Sequence, residues 1–198
     1  MEEVKVDYLQ DVVQAVQGFY ARKDPAHDLS HALRVRGWGK RLAEEEGANV
    51  LVVELAAILH DIGRSGAVEK THAESSAGLA ASILEKCGYS EDISAQVREA
   101  IITHSREAGY EPRTLEAQVL YDADKLDFVG PVGLARLFAM GGAQNWEIIG
   151  ENSCEEFYRE RVRSYAANIY TLSGKRLFEP LFKYTENFWQ ELYHQWLR

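Results

Sequence analysis

The sequence predicts an all-α protein, a multi-helix bundle. Apolar residues recur at the three- and four-residue spacing of amphipathic helices along almost the whole 198-residue chain, and no stretch of five residues or more shows the strict alternation of a half-buried strand. The segment from Val50 to Gly63 adds a second observation. Its residues Leu51, Val52, Val53, Leu55, Ala56, Ala57, Ile58 and Leu59 leave almost no polar face, and a helix apolar all round lies inside a bundle. It is too short to cross a bilayer, which takes about 20 residues.

Taken in order, the first helix covers residues 3–20, with Leu9, Val12, Val13, Val16, Phe19 and Tyr20 at helical spacing. Pro25 breaks that pattern, and Asp28 is placed to cap a second helix over 29–47 that closes at Gly47. The central helix runs from Val50 to about Gly63 and carries His60 and Asp61 inward on its last turn. Residues 63–70 read as loop, 71–88 as the fourth helix and 91–105 as the fifth. A second loop, 105–112, contains Gly109 and Pro112. The sixth helix covers 113–129, and the seventh covers 130–142 with Pro131 in its first turn. Two longer helices, about 153–172 and 175–198, split at Ser173-Gly174. The length suits one domain, 1–198, with a core over about 20–140 and aromatic-rich helices over about 145–198. Core packing is the default reading of those aromatics, with a homodimer face or a base-stacking lid as alternatives.

The net charge of −9 argues against nonspecific binding to nucleic-acid backbones, which needs a basic surface. Small phosphorylated ligands stay open, because a bound cation supplies positive charge locally. Cys87 and Cys154 form no C-x-x-C pair, and the N-terminus lacks the basic and apolar regions of a signal peptide. The expectation is a reduced, cytoplasmic chain with no membrane span.

Helical phase then singles out polar residues on apolar faces. His31 is in phase with Val35, Trp38 and Leu42; His72 with Ser76, Leu79 and Ile83; His104 with Val97 and Ile101; Asp124 with Ala117, Leu120, Tyr121 and Phe128. His60 and Asp61 end a helix buried throughout. Any one of these alone reads as a core residue satisfied by a hydrogen bond. Together they are six metal-capable side chains on five helices, and each burial would carry its own cost of a few kcal/mol unless they converge. Imidazole and carboxylate are the ligand set of Zn, Mn, Fe, Co or Ni.

These residues resemble the HD superfamily of metal-dependent phosphohydrolases. The resemblance rests on His31 in HALRV, His60-Asp61 in AAILHDIG and Asp124 in DADKLD, together with HDLSHALRV, THAESSAGLAASIL, AIITHS and DADKLDFVGPVGLAR, and it covers about residues 20–140. It looks like the small, stand-alone, uncharacterised branch. The resemblance implies that His31, His60, Asp61 and Asp124 hold a divalent cation. His72 and His104 match positions that bind a second metal in dinuclear members and contact substrate phosphate in mononuclear ones. The cofactor would be one or two ions of Mn, Mg, Fe, Co, Ni or Zn. Asp127 shares Asp124's side as a fallback ligand, whereas Asp122 falls on another face and reads as structural.

The implied chemistry is attack of metal-activated water on phosphorus, with Asp61 taking a proton and Arg34 or Lys125 neutralising phosphate charge. The implied substrate is a nucleotide or another small phosphoester, through nucleoside triphosphate pyrophosphohydrolysis or nucleoside monophosphate hydrolysis. Rival readings are a dinuclear iron oxygenase on the same scaffold, which would need His72 and His104 as ligands, and a non-catalytic sensing or binding module. The pair His27 and His31 in HDLSH resembles the zinc-peptidase H-E-x-x-H only weakly, because Pro25 and the Asp28 cap leave His27 off the helix. His27, just outside the first ligand, could reach the substrate, but the default reading is a loop residue in solvent.

Overall fold

The apolar segment after Asn49 organises the bundle. In a computed structural model, which describes residues 8–21, 25–64, 71–105 and 109–196, it forms α3 (Val50–Leu59), and every residue from Val52 to Leu59 is buried. Around it stand α1 (Tyr8–Tyr20), α2 (Leu29–Glu46), α4 (His72–Lys86), α5 (Glu91–Thr103) and α6 (Leu115–Leu126), all packed against it. Then follow α7 (Gly130–Gln144), α8 (Cys154–Phe157), a π-helical turn (Tyr158–Val162), α9 (Arg163–Tyr165) and α10 (Leu172–Trp196). An isolated β-bridge joins Glu147 to Ser153. The chain is thus all-α over the described residues. Residues 3–7 of the expected first helix, 22–24 of the break, 65–70 and 106–108 of the two loops, and 197–198 lie outside them.

Local chemistry sets the helix ends. Asp28 caps α2 by accepting from the His31 N–H at 2.7 Å, and Gly47 ends it at φ +79°, where only glycine enters without strain. Thr71 and Glu74 cap α4 reciprocally, the hydroxyl accepting from the Glu74 N–H and the carboxylate from the Thr71 N–H. Ser90 and Thr114 cap α5 and α6 in the same way through one hydroxyl each. Gly39 lets α2 close on α3, since a Cβ there would lie 2.8 Å from a Val53 methyl. Leu55, Ile58 and Leu59 are fully buried, and each such burial is worth about 1.5–3 kcal/mol.

Two boundaries differ from the sequence expectation. The central helix stops at Leu59, not near Gly63, so His60 and Asp61 stand on the turn that follows it. The His60 ring donates from Nδ1 to the Ala57 carbonyl at 2.8 Å, the acceptor that another residue of helix would have given to the Asp61 N–H. Gly63 then docks this turn on α4: its N–H donates to the Ser76 hydroxyl at 2.9 Å, and a Cβ there would collide with the Ser75–Ser76 backbone.

The second difference is at the C-terminus. Ser173 and Gly174 do not separate two helices. They lie in the first turn of α10, and the break falls instead between Tyr165 and Leu172. Asp122, fully buried on α6, accepts from the Tyr170 N–H (2.9 Å), the Thr171 N–H (2.8 Å) and the Thr171 hydroxyl (2.7 Å). Gly174 fits there because a side chain would strike the Asp122 carboxylate. Burial pushes the Asp122 carboxyl above its ordinary range, although those donors pull it down. Asp122→Ala should therefore cost about 3 kcal/mol, because several buried donors lose their acceptor. The check is a shift of the urea midpoint at unchanged slope, with Asp122→Asn, which keeps one acceptor, losing about half as much.

Candidate metal centre

Five elements deliver six polar side chains to one place. His31 comes from the first turn of α2, His60 and Asp61 from the turn after α3, His72 from the first residue of α4, His104 from the end of α5 and Asp124 from α6. His31, His60, Asp61, His104 and Asp124 are all buried, and the His72 side chain is 10% exposed. The Nε2 atoms of His31 and His60 are 3.3 Å apart, and those of His72 and His104 are 3.2 Å apart. Asp61 lies between the two pairs. Its Oδ2 is 3.7 Å from His31 Nε2 and 3.4 Å from His60 Nε2, while its Oδ1 is 3.6 Å from His72 Nε2 and 3.7 Å from His104 Nε2. Asp124 Oδ1 is 3.4 Å from His31 Nε2 and 4.0 Å from His60 Nε2.

The hydrogen bonds behind the rings say what those Nε2 atoms are. His60 Nδ1 faces the Ala57 carbonyl, His104 Nδ1 faces the Ile101 carbonyl at 2.6 Å, and His31 Nδ1 faces Asp127 Oδ2 at 2.8 Å. Carbonyl and carboxylate oxygens only accept, so each Nδ1 carries its proton, and in the neutral ring Nε2 presents a lone pair. The His31 and His60 lone pairs are then directed at each other and at carboxylate oxygens. Asp61 sharpens the point, because both its oxygens are buried and neither accepts an aligned hydrogen bond, although Arg64 Nε approaches Oδ2 at 2.9 Å. Such a set is costly as it stands and is relieved by a cation among the atoms. Two trios of ligand atoms each lie within 4.8 Å of one another: His31, His60 and Asp124, and His60, Asp61 and His104. The residues present therefore fit a divalent ion, and the two-sided placement of Asp61 fits a bridge between two.

The electrostatics agree. Burial alone would raise the Asp61 carboxyl, but its neighbours His60 and Arg64 hold it well below its usual range. Asp124 is likewise held down against burial, by Lys125, His31 and His60. Burial would lower His60, yet Asp61 and Asp124 raise it, whereas burial dominates at His104 and lowers it. Both carboxylates stay ionised at neutral pH, as ligands must.

The other expected residues are placed as follows. Lys125 is buried, its Nζ 2.5 Å from Asp124 Oδ2, donating to the His104 carbonyl at 3.3 Å and lying over the Tyr121 ring at 4.7 Å. Burial would lower its pKa, but Asp124 raises it further, so it keeps its charge. Arg34 faces away from the cluster. Its Nε and Nη2 donate to the two oxygens of Asp127 at 2.9 and 3.0 Å, and it lines a different cavity. Asp127 stands behind His31, not among the Nε2 atoms, and also pairs with Arg136 at 2.9 Å. Burial raises the Asp127 carboxyl, and hydrogen bonds from His31 and Arg34 then bring it below its ordinary range. His27 is half-buried, with its ring centroid 6.0 Å from that of His31.

A cleft of about 250 Å³ opens onto the cluster. His72, His104, Asp124 and Lys125 line it beside His27, Arg64, Phe128, Arg161 and Tyr165. Sequence reasoning did not single out Arg64, Phe128, Arg161 or Tyr165. Arg64 had a usable signal, three residues beyond Asp61 and just past the glycine stop. Arg161 had none, since its position depends on the π-helical turn of which it is part, where one extra residue per turn redirects the side chains.

Residues 28–129 match the HD domain model. The uncharacterized protein YpgQ of Bacillus subtilis is 27% identical over 157 residues, 75% of this chain and 74% of its own. The crystal structure of that protein in complex with ADP superposes with a TM-score of 0.79 at 22% identity, over 95% of this chain and 96% of that one, which is a likeness of fold. A predicted HD superfamily hydrolase from an uncultured Thermotogales bacterium gives a TM-score of 0.71 at 28% identity, over 96% of this chain and 93% of that one. With the matched stretch spanning His31, His60-Asp61 and Asp124 and covering more than half of its residues, the chain belongs to the HD domain family.

Proposed function

We propose that the protein is a divalent-metal-dependent phosphohydrolase acting on nucleotides or other small phosphoesters. The observation that carries this reading is Asp61, a buried carboxylate with one oxygen toward the His31–His60 pair and the other toward the His72–His104 pair. His31, His60, Asp61 and Asp124 would hold the first ion, and His72 and His104 a second ion or a substrate phosphate. A divalent cation, when bound, lowers the pKa of water toward about 7 and polarises a phosphoryl oxygen. The chain's own residues do the rest. Asp61 is ionised and can accept the proton lost by the attacking water. Asp127 holds the His31 ring by Nδ1, so that its Nε2 keeps facing the cluster. Lys125 balances the charge of Asp124, which keeps two adjacent carboxylates ionised in one buried site.

The cleft supports the substrate class. Arg64 and Arg161 at its wall bring positive charge to a chain of net charge −9, and the Phe128 and Tyr165 rings, packed edge to face at 6.0 Å, add aromatic surface against which a base could lie. The ADP bound by the YpgQ crystal is in keeping with this. No helix among the described residues is long and apolar enough to cross a membrane, and both cysteines are free thiols, which supports a cytoplasmic enzyme.

A second reading has one specific observation in its favour. His72 and His104 do reach the cluster, as a dinuclear iron oxygenase would require. Iron bound in the purified protein, with oxygen consumption and no phosphate release, would select it.

The main test is phosphate or pyrophosphate release from a panel of nucleotides with Mn²⁺, Mg²⁺, Co²⁺ and Ni²⁺ in parallel. Activity should appear with at least one ion and vanish with chelator. His60→Ala should reduce it at least about a hundredfold, in line with the loss of a metal ligand. Hydrolysis that persists in His60→Ala would sink the proposal. Asp61→Asn should lower Mn²⁺ affinity about 10–100-fold, read by calorimetry without substrate, because a neutral amide is a poorer ligand than a carboxylate.

A further inference from the structure

Behind the metal centre lies a second cavity, a groove of about 430 Å³, larger than the cleft and separate from it. One wall is a single face of α2, carrying Arg34, Gly37, Trp38 and Arg41 at helical spacing. Val129, Pro131 and Val132 at the start of α7, with Leu181 of α10, form the other. Its size and apolar character are those of small-molecule sites, which run from about 300 to 1,000 Å³ with a few placed polar groups. Gly37 on that wall is exposed, and a Cβ there would meet nothing within 4 Å.

The polar groups that line it select the ligand's charge. Asp127 is the one acid among the lining residues, and its side chain is 1% exposed and already bound by Arg34, Arg136 and His31. Arg34 spends Nε and Nη2 on Asp127, and its Nη1 has no partner among the described residues, while the side chain is 36% exposed. Arg41 stands two turns further along the same face and, among the described residues, pairs with Glu45 alone, at the surface. A ligand entering here meets guanidinium N–H groups and apolar walls. The apolar surface is also inside the groove and not spread around it, since Val132, 44% exposed, is the one strongly exposed large apolar residue among the lining set. A second protein chain needs a far wider apron, about 800 Å² per partner.

We propose that this groove binds a small amphipathic anion, an apolar body with one carboxylate, sulfonate or phosphate head, and that its occupancy is felt at the metal centre through Arg34, Asp127 and His31. The head group takes the outward N–H groups of Arg34. That draws guanidinium charge away from Asp127, which then accepts more strongly from His31 Nδ1 and makes His31 Nε2 a better metal ligand. By linkage, metal and ligand must strengthen each other by the same factor.

The test uses the full chain and no turnover, so its outcome is independent of the phosphohydrolase reading. Anilinonaphthalene sulfonate is titrated by fluorescence and displaced with decanoate, in chelator and then in Mn²⁺. The expected result is one site per chain, emptied by decanoate, with binding about threefold tighter in Mn²⁺. Val132→Glu should weaken both probes about tenfold or more, and Gly37→Leu, which adds bulk to the α2 wall with a better helix former, should do the same if the charged variant fails to fold. Arg34→Gln should remove the Mn²⁺ effect. The proposal is overturned if neither probe binds, if Gly37→Leu binds them as the parent does, if Mn²⁺ leaves their affinity unchanged, or if light scattering finds a dimer that Gly37→Leu dissociates, which would assign the groove to a second copy.

Discussion

The structure depends on a local repulsion. Imidazole Nε2 lone pairs and carboxylate oxygens are held 3.3 to 4.0 Å apart in a site from which water is almost excluded. Arg64 and Lys125 offset part of the carboxylate charge, but the imidazole lone pairs facing those oxygens have no such partner in the cluster. Protonating His60 relieves part of it, which is why its pKa lies above the ordinary value in spite of burial. A cation would relieve the rest, because each of these atoms could serve as a ligand with its lone pair facing inward. The protein therefore folds around a place reserved for positive charge, and the helices are arranged to withstand the cost of that place.

Withstanding it falls mainly to α3. A helix with no polar face cannot slide or rotate without taking apolar surface into water, so the turn at its C-terminal end is fixed in depth. His60 and Asp61 inherit that fixity. The imidazole ends the helix by taking the Ala57 carbonyl, and His104 does the corresponding thing at the end of α5 with Ile101. Each histidine thus spends one nitrogen on its own helix and offers the other to the site. The same contact that stops the helix selects the tautomer.

How much of this was legible in the sequence follows from what each residue depends on. The bundle and the convergence of His31, His72, His104 and Asp124 were legible, because helical phase is a local property and burial follows from it. The end of α3 was misread because a side chain, and not glycine, took the last carbonyl. Ser173-Gly174 read as a stop because glycine commonly ends helices. Here it begins one, since the buried Asp122 carboxylate, some 50 residues earlier in the chain, already occupies the space a Cβ would need. The roles of Arg34 and Asp127 were hidden for a similar reason. Both sit at helical spacing from a residue of the cluster, but which side of His31 they face is decided by how α2 meets α6.

Asp127 shows what the site gains from such tertiary contacts. Its carboxylate takes His31 Nδ1, Nε and Nη2 of Arg34 and one contact from Arg136, and Arg136 also donates to the Asp127 and Ala26 carbonyls. One side chain thereby ties the orientation of the His31 ring to α7 and to the chain leading into α2. His72 is the opposite case. It stands at the first residue of a helix, it is the most exposed of the six, and its Nε2 approaches the cluster from the cleft side. Rigidity is concentrated at His31 and openness at His72. A substrate entering from the cleft would thus meet the edge of the cluster that can accommodate it, while the far edge holds its geometry.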